Sequence, residues 1–388
     1  MIEKNNSSSF VLILISSILT NSVAGLLYVW SLFIIPIENF IDLSRADLGL
    51  ISSVALISFT IGVSIFPFLL KKINRLLVSI LGFLLISLGH LCFGFFPFWI
   101  TLLIGYGIGF GIGSGINYGL ALYLTSSLNK RMRAISIGIA LGAFALSGIM
   151  LPIILGGWIT NTLPNISFIW ISSVTFIIGI ICVILISFIK LNISDKAVSL
   201  SQEKIPLDMS FLILSFIFFL ICFSGLAVVS QSAAIASSAG IQTSGYATSI
   251  LTVGYLIGCL SGAPLTEKIK ERYVLVGLSF FTFFGVLGML STSPVILFIG
   301  SSFIGLTLGG VGSIMPVLLG QRYGPINISR LYGRMIIGYG LAGLIAPFVA
   351  GIFFDFVNNY SLLLYLCVSI TIISFVITFT LKAKKDKN

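Results

Sequence analysis

The chain is 388 residues long, 57% hydrophobic and only 8% charged, with a formal net charge of +10. Soluble proteins carry about 25% charged residues, and a mean hydropathy of +1.17 lies far to the apolar side, so a water-soluble globular protein is excluded. The basic residues punctuate apolar segments instead of forming a patch, which excludes a nucleic-acid partner as well. One histidine and five scattered cysteines (Cys92, Cys182, Cys222, Cys259 and Cys367) offer no zinc site, disulfide framework or Ser-His-Asp triad. The composition is that of an integral membrane protein, with no cofactor expected.

A membrane-crossing helix needs about 20 mostly apolar residues. In chain order the sequence predicts twelve: 10–36, 47–70, 76–96, 98–127, 134–157, 166–190, 210–240, 245–265, 273–291, 295–320, 331–354 and 361–381. The first is too long for a signal-peptide core and is followed by no small-residue cleavage site, so it reads as a retained helix. Charge then orients the spans. With both termini cytoplasmic, the inward segments collect Lys4; Lys71, Lys72 and Arg75; Lys130, Arg131 and Arg133; and Lys190, Lys196 and Lys204. They also collect Lys268, Lys270 and Arg272; Arg322, Arg330 and Arg334; and the final lysines from Lys382 on. Of the 21 Lys and Arg residues only Arg45 falls outside, beside Glu38, Asp42 and Asp47. That sorting obeys the positive-inside rule. A multi-pass protein of the cell (inner) membrane is expected.

Span four reads Gly105-Tyr-Gly107-Ile-Gly109-Phe-Gly111-Ile-Gly113-Ser-Gly115, two rows of small residues that let neighbouring backbones approach closely. Gly338-Tyr-Gly340-Leu-Ala-Gly343 matches the dinucleotide fingerprint only by letter, since it lies within a membrane run with no preceding strand. Pro152 and Pro347 sit deep in spans five and eleven, where proline removes a helical hydrogen bond. With Gly148 and Gly343 they are candidate hinges. His90 in span three and Arg334 at the start of span eleven are candidates for proton or charge coupling. For His90 the competing reading is an interhelical hydrogen bond; for Arg334 it is snorkelling to the surface. Glu267 and Asp355 lie at span ends, where a structural role is expected.

The long polar stretch 191–209 divides the chain into an N-terminal six-helix half (1–190) and a C-terminal one (210–388). Gly148-x-x-x-Pro152-x-x-x-Gly156 recurs as Gly343-x-x-x-Pro347-x-x-x-Gly351, at an offset of 195 shared by Gly105 and Gly300. The basic turn Lys71–Arg75 has its counterpart in Glu267, Lys268 and Arg272. Two related halves predict an all-α integral membrane fold of two pseudo-symmetric six-helix bundles, the major facilitator architecture, with a site at mid-membrane between them.

Gly25-Leu-Leu-Tyr28-Val-Trp30-Ser31-Leu-Phe33, followed by Ser44-Arg45, resembles the first helix of the oxalate/formate antiporter family. The junction Asn129 to Gly142 is similar to a signature that family shares with the monocarboxylate transporters. Tyr332-Gly333 through Asp355 is similar to its eleventh helix. The resemblance implies a secondary transporter of a small organic acid, a monocarboxylate, working by symport or antiport. Possible partners are H+ or a counter-transported anion, with the lipid bilayer around a monomer. The family's span-eight arginine and span-eleven lysine are absent; Cys259 and Tyr339 stand nearest those positions, so dicarboxylate exchange is not implied. The Pro67–Arg75 turn also lacks the glycine and aspartate of the superfamily's loop motif. With no central cation, neutral donors and rings are expected to hold the solute: Tyr28, Trp30 and Ser31 in span one, Asn117 and Tyr118 in span four, Gln231 in span seven, and Tyr339. The alternative is export of a neutral or amphipathic solute. An intramembrane enzyme would need clustered nucleophiles, carboxylates or metal ligands, and the sequence has none; a sensor would need a signalling domain.

Overall fold

A computed structural model describes residues 7–128, 130–189, 208–324 and 328–381. Twelve of its helices are long and apolar enough to cross a membrane, which makes the chain an integral multi-pass membrane protein. We number them α1 (Ser9–Leu32), α2 (Arg45–Lys72), α3 (Arg75–Phe95), α4 (Trp99–Ser126), α5 (Ile135–Asn161), α6 (Pro164–Phe188), α7 (Met209–Ser238), α8 (Gly245–Thr266), α9 (Glu271–Met289), α10 (Pro294–Tyr323), α11 (Leu331–Val357) and α12 (Ser361–Thr378). The expected spans agree with these to within a few residues. Most of the expected linker 191–209 lies outside the described residues, as do Lys4, Asn129, Lys190, Lys196, Lys204 and Lys382. The side chains of Lys130, Arg131, Arg133, Glu267 and Arg330 are outside them as well.

Local chemistry fixes the helix starts. Ser44 caps α2 in a reciprocal box with Asp47, its hydroxyl accepting from the Asp47 amide at 3.0 Å. Asn74 caps α3 through the Leu77 amide (2.9 Å), and Asp208 caps α7 through the Phe211 amide (2.9 Å). Proline opens α6 and α10 at their first turn.

Three spans depart from the regular helix that the sequence predicts. In α1 the α-helix ends at Ala24 and continues as a 3-10 helix over Gly25–Leu32, then a short helix Ile34–Ile41. In α4 residues Leu103–Phe110 form a π-helix. The α5 span is broken between Ala143 and Leu146. The first and third departures meet. A Cβ on Gly25 would lie 1.8 Å from the Phe144 carbonyl oxygen, so only glycine lets α1 cross the break in α5.

The two glycine rows of α4 sort by neighbour. Gly107, Gly111 and Gly115 face α2 at Val54, Ala55 and Phe59; Gly105, Gly109 and Gly113 face α3 at Gly89 and Gly82. The repeat holds in space, since Gly300 of α10 meets Gly285 and Gly288 of α9 as Gly105 of α4 meets Gly89 of α3. Between the halves, α2 packs on α11, α5 on α8 and α1 on α7. Connectivity gathers Lys71, Lys72, Arg75, Lys268, Lys270, Arg272 and Arg322 at one end of the bundle, here termed the basic end. Arg45 lies at the other, termed the outer end.

Close backbone contact generates a test. A Cβ on Gly305 of α10 would fall 1.7 Å from the Leu251 carbonyl oxygen, whereas one on Gly277 of α9 meets nothing within 4 Å. Gly305→Ala is expected to destabilise by about 1–3 kcal/mol, the range for overpacking, and to lower the apparent Tm of purified protein. Gly277→Ala should leave Tm unchanged or raise it, because alanine favours the helix.

Candidate functional site

Where the halves meet, at the middle of the helices, aromatic side chains enclose a cavity of about 50 Å³. Tyr28 (α1), Phe59 (α2), Tyr118 (α4) and Phe144 (α5) form one wall. Phe218 and Cys222 (α7), Tyr255 (α8), Leu308, Val311 and Gly312 (α10), and Tyr332, Ile336 and Tyr339 (α11) form the other. The contributing helices are corresponding members of the two halves: α1 with α7, α2 with α8, α4 with α10, α5 with α11. Among the described residues no charged side chain lines the cavity.

The rings hold one another. Tyr28 meets Phe144 and Tyr255 edge-on at 4.9 and 5.3 Å, and Phe59 meets Tyr118 at 5.3 Å. Such pairs contribute about 0.5–1.5 kcal/mol each beyond area burial. The Tyr28 and Tyr339 hydroxyls are 3.4 Å apart across the seam. Five tyrosine hydroxyls in an otherwise apolar chamber can each donate and accept a hydrogen bond. The space holds only a few water molecules at this aperture, so a larger occupant requires the halves to part.

Two polar layers close the outer end above the cage. In the first, Ser31 of α1 bonds Thr248 at 2.8 Å and Ser232 at 3.1 Å, and Ser232 bonds Thr248 at 2.8 Å. The 3-10 helix explains how Ser31 comes to stand over Tyr28. Three residues per turn eclipse positions i and i+3, so Gly25, Tyr28 and Ser31 share one face toward the seam. The second layer is ionic. Arg45 binds Glu38 through two nitrogens (2.8 and 2.7 Å), donates to the Tyr360 hydroxyl at 2.6 Å and lies 4.3 Å over the Phe354 ring. Tyr360 in turn donates to Gln231 at 3.0 Å. Burial pushes the Tyr360 phenol up to about 12, against the pull of the Arg45 guanidinium, so it remains a donor. Asp355 of α11 accepts from the Arg45 and Ala46 amides at 3.0 and 2.8 Å, capping α2 from the opposite half. Beside the hydroxyl layer a cleft of about 430 Å³ opens between the outer ends of α1, α5, α7 and α8, with Ser31 in its wall.

Of the residues singled out from sequence, the structure brings Tyr28, Tyr118 and Tyr339 into the cage. Ser31 is one turn above it, in the hydroxyl layer. Gln231 lies in the Arg45 network at the outer end. Trp30 turns away from the seam and stacks on Tyr106 at 4.7 Å inside the first half, its indole nitrogen without a partner. Asn117 is buried against Gly82, and neither amide atom has a partner. His90 is buried among Tyr106, Phe110 and Phe168, with Nδ1 2.8 Å from the Ile86 carbonyl. Arg334 is exposed, on the side of α11 opposite Tyr332 and Tyr339.

The hinge candidates lie at the crossings. Gly148 abuts Thr252, Pro152 borders Gly245, Gly343 abuts Leu56, and the Pro347 carbonyl faces Gly49. At the basic end Lys71 lies 6.0 Å from the Phe68 ring, Arg75 donates to the Ile189 carbonyl, Arg272 lies 4.6 Å over Phe379, and Lys268 is exposed. Phe59, Phe144, Phe218, Cys222, Tyr255 and Tyr332 were not singled out from sequence. The available signal was the repeat itself, which marks corresponding helices of the two halves as lining elements.

A family model described as Major Facilitator Superfamily matches residues 211–388. No curated protein matches the chain. Among solved structures it is similar to a bacterial homolog of the human lysosomal transporter Spinster in an inward-facing, unoccupied conformation. That likeness has 17% identity and a TM-score of 0.68, covering 98% of this chain and 95% of the other. The occupied conformation of the same homolog gives a TM-score of 0.71 at 17% identity, covering 96% of each chain. A D-xylose-proton symporter gives 0.78 at 12% identity, covering 98% of this chain and 99% of that one. The fold is that of the major facilitator transporters: all-α, twelve membrane helices, two six-helix bundles.

The outer layers predict a conformational effect. Arg45→Gln removes a charged donor to Tyr360 and the cation over Phe354, contacts that join the halves. A hydrogen bond to a charged group contributes about 1.5–3 kcal/mol, enough to shift an open–closed equilibrium roughly 10- to 100-fold. Spin labels at Asn161 and Gln242 are expected to report longer distances in Arg45→Gln than in the parent. An unchanged distance distribution would show that this layer does not hold the outer end closed.

Proposed function

We propose that the chain is a secondary transporter that moves a small solute by alternating access, with the tyrosine cage as its binding site. The observation that carries this is the cage lining: corresponding helices of both halves converge on one chamber at mid-membrane, where rocking of the halves exposes it to either side in turn. By the positive-inside rule the basic end is cytoplasmic, so the closed outer end faces away from the cytoplasm. The cage and its layers call for no cofactor. The drive is an ion or solute gradient, with H+ or an exchanged anion as the coupling species.

The charge-free lining favours a solute bound in uncharged form. A charge at the bilayer centre costs at least about 2.5–3.5 kcal/mol on insertion scales, and no side chain in the cage offsets it with an opposite charge. One fold neighbour is named for D-xylose, an uncharged sugar, and for a proton; at 12% identity the neutral reading rests on the lining and not on that likeness. A second reading, a small monocarboxylate, follows from the resemblance to the oxalate/formate antiporter family. The paired Tyr28 and Tyr339 hydroxyls support it, because both can donate to one carboxylate.

Uptake into proteoliposomes of a panel of labelled neutral polyols, sugars and monocarboxylates tests both readings. The neutral reading predicts saturable uptake of an uncharged member. Tyr339→Phe should weaken that uptake by about 0.5–1.5 kcal/mol, or roughly 2- to 10-fold in apparent affinity, for one lost hydrogen bond. Saturable uptake confined to monocarboxylates would select the second reading. No saturable uptake of any member, with Tyr339→Phe indistinguishable from the parent, would remove the cage as the site.

A further inference from the structure

A further pocket lies at the basic end, apart from the cage and the outer cleft. It occupies about 430 Å³ between the ends of α2, α3, α4 and α6. Its lining is half polar and half apolar: Asn74, Arg75, Tyr123 and Ser187 with Leu70, Leu76 and Ile186. The cation in its wall, Arg75, is what needs explaining. Arg45 pairs with Glu38 and Arg322 with Glu271, but Arg75 faces no carboxylate among the described residues. One of its nitrogens donates to the Ile189 carbonyl, which holds the guanidinium in place. A guanidinium carries five N–H donors, so most remain for a ligand.

The surrounding groups fit an anion with an apolar body. The Asn74 side-chain oxygen is committed to the Leu77 amide, which leaves its NH2 group free to donate. Ser187 already donates to the Ile184 carbonyl at 2.7 Å, so the Tyr123 hydroxyl is the second available donor. The flanking helix ends expose apolar side chains, Phe68 at 65%, Leu77 at 47%, Ile184 at 51% and Phe188 at 67%. Residues this apolar face lipid. A free phosphate would use the cation and leave Leu70, Leu76 and Ile186 bare. A phospholipid uses both halves of the lining.

We propose that this pocket binds the phosphate headgroup of an anionic glycerophospholipid from the leaflet at the basic end. Arg75 pairs with the phosphate, Asn74 and Tyr123 donate to its remaining oxygens, and the glyceride and first methylenes lie over Leu70, Leu76 and Ile186. Arginine suits this because its planar fork matches two phosphate oxygens at once. Lys71 and Lys72, exposed beside the pocket, add a diffuse attraction that draws anionic lipid near without defining a site. This inference does not depend on the cage or on any transported solute.

The test is thermal unfolding of the detergent-purified chain titrated with phosphatidylglycerol, phosphatidylcholine or inorganic phosphate, together with native mass spectrometry of retained lipid. The parent is expected to show saturable stabilisation and retained adducts with phosphatidylglycerol alone. Arg75→Gln should weaken that response by about ten-fold or more, the loss expected for a charge-assisted hydrogen bond. Tyr123→Phe, which changes neither charge nor shape, should weaken it several-fold and serves if Arg75→Gln does not fold. Lys72→Gln should change it little. Equal responses to phosphatidylcholine or to inorganic phosphate would overturn the proposal, as would a Lys72→Gln loss as large as that of Arg75→Gln. So would undiminished phosphatidylglycerol binding in Arg75→Gln or, where that variant does not fold, in Tyr123→Phe.

Discussion

Charge is costly at bilayer depth, and this chain answers by keeping its charges at the two ends of the bundle. What remains in the middle is a chamber of tyrosine and phenylalanine rings contributed by both halves. Its polarity is confined to hydroxyl groups, of which those of Tyr28 and Tyr339 meet at 3.4 Å and that of Tyr332 reaches the Gly312 carbonyl. A hydroxyl pair of this kind gives up little when a solute enters between its members, because each group exchanges one neutral partner for another. A buried ion pair in the same place would have to be broken and desolvated at each turnover.

The ends carry the opposite chemistry. At the outer end Arg45, Glu38, Tyr360, Gln231 and the α2 cap supplied by Asp355 join the halves through charge-assisted bonds, strong but few. The layer beneath, Ser31, Ser232 and Thr248, is neutral again. Polar strength therefore falls from the outer end toward the cage. Close packing does the rest. Where α2 meets α11, a Cβ on Gly49 would lie 2.4 Å from the Pro347 oxygen and one on Gly351 would lie 2.1 Å from the Arg45 oxygen. At these points the two backbones are in direct contact, with no room for a side chain between them.

Much of the fold was legible in the sequence because bilayer thickness dictates helix length and glycine spacing dictates which backbones meet. The rows in α4 sort onto α2 and α3 as a regular small-residue pattern requires. The site was only partly legible, and α1 shows why. Tyr28, Trp30 and Ser31 were grouped by residue type, although at about 100° per residue an α-helix already sets Trp30 nearly opposite Tyr28. The 3-10 segment places Tyr28 and Ser31 in line, and Trp30 lies on Tyr106 inside the first half. The 3-10 segment itself, where Gly25 meets the Phe144 carbonyl of the broken α5, has no local signature in the sequence. Gln231 was named as a donor of span seven, but its place in the chain does not record its depth, and it bonds Tyr360 at the outer end. Tyr255 and Phe144 carry no motif at all; only their place on corresponding helices marks them.

Cys222 gives the most direct access to the central claim, because it is a native thiol in the cage wall. With the other four cysteines replaced by serine, its reaction with a membrane-impermeant thiol reagent can be followed from each side of sealed vesicles. Alternating access predicts reaction from both sides, faster from the basic end in the parent, with the balance moving toward the outer end in Arg45→Gln. Reaction from neither side, or from one side at a rate Arg45→Gln does not alter, would contradict an alternating central cage.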